Sequence, residues 1–188
     1  GWSTDIEGST FVSTLPDYKF TYQEDSPTTY YAIFKTANTG ITYTKTSGEA
    51  TLTKVDSNAL TDGYVHIPSM IQRDNGTKYI VTEIYTSAFN PAFYNVHSTL
   101  TGVTLPDTMT SIGGYAFRNC SGLTGELVIP SSVTSIGDSA FSDCSGLTSL
   151  ALSDCTSLES IGESAFYNCS GLTSVKLPSS VTSIGDSA

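Results

Sequence analysis

Apolar and polar residues alternate in short bursts through most of this chain, and in its second half the bursts recur in one fixed order. Leu147-Thr-Ser-Leu150-Ala-Leu152 and Leu172-Thr-Ser-Val175-Lys-Leu177 share the pattern L-x-x-L-x-L, whose last part has the period of two of a half-buried strand. Pro106, Pro130 and Pro178 follow such segments, where a missing N–H does least harm to a ladder. A second apolar pair comes next, Val133/Ile136 or Val181/Ile184. The glycines after it (Gly113, Gly137, Gly162, Gly185) are expected to allow a turn closed to other residues. Asp138 and Glu163 are expected to open a short helical turn, with Asp138 as its N-cap. Ala140-Phe141 and Ala165-Phe166 pair a small residue with a large one, and Gly122, Gly146 and Gly171 suit a left-handed C-cap before the next strand.

The octapeptide Val133–Ala140 returns unchanged at Val181–Ala188, with diverged copies at Met109–Ala116 and Leu158–Ala165 and a remnant at Val81–Ala88. Ile112, Ile136, Ile161 and Ile184 are spaced 24, 25 and 23 residues apart. The base period is therefore 23, with small insertions near Gly125–Glu126 and between Ser153 and Leu158. No single repeat can bury its own apolar row. Stacked about 4.8 Å apart, the rows become columns of Leu, Ile, Val and Phe. The expected fold is a mostly β repeat solenoid, with parallel strands on one side and tight turns or short helical pieces on the other. The last copy stops at Ala188, one residue before the expected Phe, so the array is expected to be truncated there.

The first half reads differently. Residues 1–17 are polar with few apolar anchors and read as a linker or disordered end. Four short strands are expected at Tyr18/Phe20/Tyr22, Tyr30/Ala32/Phe34, Ile41/Tyr43 and Leu52/Val55, divided by turn chemistry at Asp25-Ser-Pro27, Asn38-Thr-Gly40 and Ser47-Gly48. Residues 18–60 thus form an N-terminal β cap that shields the first repeat of an array over 61–188. That first repeat carries two inserts, one with the hairpin signal Asp74-Asn-Gly76 and one at Asn90–His97.

Hydrophobic residues make up 38% of the chain, too many for a disordered one. Charged residues make up only 14%, below the usual globular share of about 25%, and serine and threonine take their place. The net charge is −10, and residues 100–188 hold two basic side chains against eight acidic ones. No Lys/Arg cluster is available to neutralise phosphates, which argues against nucleic acid and anionic membrane surfaces as partners. No apolar run approaches the roughly 18 residues of a membrane span, so direct membrane insertion is not expected of this stretch. No signal peptide is read in this stretch, and since it starts at Gly1 rather than Met, removal of an export signal or its lying outside the stretch stays open.

With Pro, Ile-Gly, Ala-Phe, Cys and Leu recurring together, the stretch Ile129-Pro-Ser-Ser-Val-Thr-Ser-Ile-Gly-Asp-Ser-Ala-Phe-Ser-Asp-Cys-Ser-Gly-Leu-Thr-Ser-Leu150 resembles the BspA-like leucine-rich repeats of bacterial surface proteins, named also after a Treponema pallidum repeat. The resemblance covers about residues 64–188. It departs locally where Ser153 replaces Pro and Leu152–Leu158 partly mimics the Cys-Ser-Gly-Leu step. It implies a leucine-rich-repeat-like right-handed superhelix with short helical turns and no cofactor. It also implies an extracellular or bacterial cell-surface location and a role in adhesion or protein binding, with host or matrix proteins as partners.

Few residues carry candidate chemistry. Cys120, Cys144 and Cys169 share one repeat position and Cys155 sits in the irregular step. With no C-x-x-C and no histidine at zinc spacing they read as buried free thiols, a stray disulfide or redox role being the alternative. His66 and His97 are far apart, and neither G-x-S-x-G nor a P-loop is present, so an enzyme is not expected. Asp138, Glu163 and Asp186 form a column that reads as caps in water rather than a Ca²⁺ site. Asn119, Asp143 and Asn168 read as backbone hydrogen bonding along the stack. Asn75, Asn119 and Asn168 head N-x-S/T sequons, which carry little weight in a bacterial protein. The outward strand positions, Thr101, Gly102, Thr104, Thr124, Thr148, Ser149, Ala151, Thr173, Ser174 and Lys176, hold no Trp, Tyr or Arg and read as scaffold. Binding is expected instead at Phe93, Tyr94 and His97, at Arg73 and Lys78 beside the hairpin, or at cap tyrosines, where glycan binding is the further option. Phe93 and Tyr94 read equally as cover for the core. A structural spacer presenting another domain is the second functional reading.

Overall fold

The computed structural model describes residues 33–35, 41–55, 57–72, 77–89 and 98–188. In chain order the strands are β1 (Ile33–Lys35), β2 (Ile41–Thr46), β3 (Glu49–Val55), β4 (Tyr64–His66), β5 (Met70–Gln72), β6 (Lys78–Ile84), β7 (Gly102–Thr104), β8 (Ser111–Ile112), β9 (Gly125–Val128), β10 (Ser135–Ile136), β11 (Leu147–Ala151), β12 (Ser160–Ile161) and β13 (Ser183–Ile184). Among the described residues the one helical piece is a 3-10 turn at Ser57–Ala59. Among the described residues the regular secondary structure is almost all strand, with nearly no helix.

The repeats contribute strands of two kinds, which pair in three separate sheets. The Ser-Ile strands pair in parallel from β6 through β8, β10 and β12 to β13, with Ile84, Ile112, Ile136, Ile161 and Ile184 in register. The L-x-x-L-x-L strands pair as β4 with β7 and as β9 with β11, also in parallel. The register of the latter pair shifts between Leu147 and Ser149, where β11 advances two residues against the single step from Gly125 to Glu126 in β9. The expected strand at Leu172–Leu177 does not form. Val175 and Leu177 there are 43% and 42% exposed, so the burial that holds their counterparts Leu150 and Leu152 in a strand is missing.

In the first half, β2 and β3 form an antiparallel hairpin turned at Ser47-Gly48, both residues at positive φ (39° and 92°). This is the twist a two-residue hairpin needs. Strand β3 then pairs in parallel with β6, Leu52 opposite Ile84, and so continues the isoleucine column by one step. Strands β5 and β6 are antiparallel, Met70 opposite Ile80, the hairpin expected around Asp74-Asn-Gly76. The first expected strand, the polar end 1–17 and the insert at Asn90–His97 lie outside the described residues.

The core is a set of columns. Phe89, Phe117, Phe141 and Phe166 stack ring on ring at 4.3, 5.0 and 5.4 Å between centroids. The isoleucines, Val133, Leu123, Leu147 and the alanines before each phenylalanine pack beside them.

The stretch after each Ser-Ile-Gly is not the short helix expected. Its backbone alternates between two kinds of bond. Ala140, Ser142 and Cys144 donate their N–H three residues back, to Gly137, Ser139 and Phe141, whereas Ser139, Phe141 and Asp143 donate to Glu163, Ala165 and Tyr167 of the next repeat. Ser139 and Asp143 sit at φ 52° and 62°, and their counterparts Tyr115, Asn119, Ser164 and Asn168 do the same. A helix cannot continue through left-handed residues, so stacking takes the N–H groups a helix would have used. Asp138 accordingly caps no helix; its Oδ1 accepts the N–H of Glu163 in the following repeat, at 2.9 Å.

The repeated glycines have a different reason from the one expected. Gly122 and Gly146 are not at positive φ; Asn119 and Asp143 are. A Cβ on Gly146 would lie 2.6 Å from the carbonyl oxygen of Leu123, and one on Gly113 equally close to that of Ile84. These positions are where one repeat's backbone rests on the next, with no room for a side chain.

Candidate binding surface

The abundance of serine and threonine is used between repeats. The hydroxyls of Thr110 and Thr134 each donate to the threonine carbonyl one repeat earlier at 3.0 Å, and Ser132 donates to Met109 at 2.6 Å. These bonds join neighbouring repeats without charge, which is why so few ionised groups are needed.

The cysteines play the same part inside. All four are buried and unbridged. Cys144 Sγ donates to the Phe117 carbonyl, Cys169 to that of Phe141 and Cys155 to that of Ile129, each at 3.1 Å. Burial pushes the Cys120 thiol up to about 12 and the Cys169 thiol up to about 11, and it raises Cys144 and Cys155 in the same direction. Nucleophilic thiols are exposed and depressed in pKa; these are the reverse.

Three outer surfaces remain as candidates. One is a groove of about 560 Å³ along the Ser-Ile-Gly ladder, lined by Ser135, Ser160, Gly137, Gly162, Asp138 and Glu163. Asp138 is engaged there with the Glu163 backbone. The second is the ridge of turns, where the Arg118 guanidinium stands 5.5 Å from the Tyr115 ring centre and Tyr167 is exposed. On the same ridge the Asn168 side-chain amide donates to the Asp143 carboxylate at 2.9 Å, a side-chain bond along the stack where bonding to the backbone was expected.

The third is the outer face of the L-x-x-L-x-L strands. Strand β4 aligns Tyr64 with Gly102 and His66 with Thr104, and β9 aligns Glu126 with Ser149 and Val128 with Ala151. Most of the face is small and neutral, as read from the sequence. Its first strand is not: Tyr64 is 46% exposed and stacks on His66, centroids 6.0 Å apart and planes 23° apart. The Tyr64 ring lies over Gly102, where a Cβ would sit 2.8 Å from the phenol oxygen and closer to the ring carbons. Gly102, expected to point outward, is therefore buried beneath the ring. Sequence reasoning missed this pair, although the signal was present. Ile67-Pro68 occupies the same step as Leu105-Pro106 and Ile129-Pro130, which puts Tyr64 and His66 at outward positions of one more strand.

Of the residues singled out from sequence, Arg73, Phe93, Tyr94 and His97 lie outside the described residues, and Lys78 is a half-buried member of β6. Among the cap aromatics named as glycan candidates, Tyr43 packs against the core with its hydroxyl buried, and burial raises its phenol pKa. No helix in the described residues is long and apolar enough to cross a membrane.

A model of the BspA type leucine-rich repeat region matches residues 82–188 in six copies. The fold resembles a leucine-rich repeat protein of Bacteroides ovatus, 33% identical with a TM-score of 0.67, over 81% of this chain and 37% of that one. It also resembles the Treponema pallidum leucine-rich repeat protein, 31% identical with a TM-score of 0.64, over 80% of this chain and 64% of that one. A leucine-rich repeat protein of Bacteroides capillosus is 25% identical with a TM-score of 0.51, over 81% of this chain and 98% of that one. The chain thus spans about a third and under two thirds of the length of the first two. No curated protein matches at a significant level.

Proposed function

From the premise that the chain belongs to the BspA-type leucine-rich repeat family, we propose that it is a non-enzymatic protein-binding module, secreted or held at a bacterial surface and acting in adhesion. In this reading residues 61–188 form a right-handed superhelical solenoid, and 18–60 form a β cap over its first repeat. The pairing of β3 with β6 in the register of the next repeat supports that arrangement.

The observation that carries the binding reading is the outer face of β4, β7, β9 and β11. Parallel registration aligns the outward residues of β4 with those of β7 and of β9 with those of β11, and such repeated faces are the extended surface on which repeat proteins hold partners. Tyr64 and His66 at its first strand supply the aromatic anchors that hot spots favour. The inserts bearing Arg73, Phe93, Tyr94 and His97, with Lys78 at the start of β6, remain proposed as a second contact region. The spacer reading is favoured by Thr104, Thr124, Thr148 and Ala151, which leave the rest of the face bland.

The test immobilises the chain and probes it with extracellular-matrix proteins and a glycan array. Saturable binding of a matrix protein that is lost in Tyr64→Ala or in Phe93→Ala with Tyr94→Ala, the fold being kept, supports the binding reading. Capture of neither class by the chain favours the spacer, and capture of glycans alone overturns protein binding.

A further inference from the structure

On the strand face one row runs Tyr64, Gly102, Glu126, Ser149. Tyr64 is opposite Gly102 and Glu126 opposite Ser149, and Gly102 and Ser149 hold the same place in their L-x-x-L-x-L segments. By that equivalence an exposed aromatic ring and an exposed carboxylate stand on the same face, with strand β7 between their strands, and the Tyr64 ring leans across that strand at Gly102. The ring is fixed: it rests on the Gly102 backbone in space that any side chain would fill, and His66 stacks beside it. The carboxylate is positioned too, since Glu126 Oε1 accepts the Ser149 hydroxyl at 3.2 Å.

We propose that Tyr64 and Glu126 clamp a cationic side chain, Lys or Arg, presented by a basic segment of a partner protein. A guanidinium or ammonium laid on the ring face gains from the ring quadrupole. A carboxylate next to that ring completes a charge-assisted hydrogen bond that a neutral ligand would not need. Charge complementarity extends beyond the row. The chain carries −10, and residues 100–188 hold eight acidic against two basic side chains, a field that draws in basic segments and repels acidic ones. Pre-positioning of both groups keeps the entropy cost of engagement small. This deepens the protein-binding reading and rests on it.

The experiment titrates a ten-residue polyarginine peptide into the full chain at near-physiological salt and follows affinity by calorimetry. Tyr64→Ala is expected to weaken binding about fivefold, Tyr64→Phe to restore it, and Glu126→Gln to weaken it by a similar factor of about five. The double variant is expected to lose less than the product of the two. Asp138→Asn, which removes the same charge from the other ladder, is expected to change affinity less than about twofold. Thermal unfolding of each variant confirms that the fold is kept. Equal losses from Glu126→Gln and Asp138→Asn, or undiminished binding by Tyr64→Ala, overturn the clamp. So does a neutral oligosaccharide that binds through Tyr64 where the peptide does not. Matrix proteins that still bind after both substitutions would leave the module a protein binder and overturn only the clamp. Tyr64-dependent peptide binding with no matrix protein captured would uphold the clamp and count against adhesion.

Discussion

Val133–Ala140 and Val181–Ala188 are the same eight residues in two places. Their backbones agree: Ser139 and Ser187 sit at φ 52° and 57°, and Gly137 and Gly185 each donate to the isoleucine carbonyl of the preceding repeat at 2.8 Å. Their burial does not. Ile136 is 1% exposed and Ile184 53%; Val133 and Ala140 are fully buried while Val181 and Ala188 are half-buried. Among the described residues the first copy has a repeat packed on each side and the second has one. Identical sequence therefore gives identical local conformation and unequal stability, because most of the hydrophobic contribution of a repeat comes from its neighbours.

The largest break in the comparison comes from the phenylalanine column. Phe141 is buried between Phe117 and Phe166, and Phe141→Ala is expected to cost about 3–5 kcal/mol in denaturant unfolding. Next is the isoleucine pair itself. Ile136→Ala should cost about 3 kcal/mol, whereas Ile184→Ala, half-exposed already, should cost less than about 1 kcal/mol. Equal losses at the two sites would mean that Ile184 is covered in solution. At Gly146, where a Cβ would meet the Leu123 carbonyl at 2.6 Å, Gly146→Ala should cost about 1–3 kcal/mol, seen as a shifted unfolding midpoint.

The thiols sharpen the comparison by pH. Their folded pKa values are raised by burial, from an ordinary 9.0 to about 12 at Cys120 and about 11 at Cys169. Above about pH 9 the unfolded chain releases these protons and the folded one keeps them, so the unfolded state gains as pH rises. Their contribution is complete below that pH and is expected to be lost between about 9 and 12. Replacing Cys120 and Cys169 by alanine should flatten the fall in unfolding free energy there. A disulfide-exchange reagent at pH 8 should find all four thiols silent until the protein unfolds. The smallest effect is expected at Asp138→Asn, about 0.5 kcal/mol, since the amide oxygen can still accept the exposed Glu163 N–H.

Much of this was legible beforehand because a repeat states its rules several times. The period, the Leu, Ile and Phe columns and the buried cysteines follow from spacing, since a position that recurs at one stacking distance must meet its own copies. Two local readings failed for a common reason. The short helix after Gly137 and the left-handed role of Gly146 were judged within one repeat, where helical bonds and glycine φ are the available options. In the stack, Ser139 and Asp143 take left-handed φ so that alternate N–H groups reach the next repeat. Glycine is needed instead where backbones touch. The aromatic pair was missed because β4 lies before the long insert that hides its repeat register.

The sequence by itself determined the period, the identity of each column and the local backbone of each octapeptide, because these depend on residues close along the chain. Only the tertiary structure decided which copy is buried, which strand forms, and that Tyr64 comes to lie over Gly102. Those outcomes depend on what lies one stacking step away, and burial and cross-strand neighbours are properties of that step rather than of the residue.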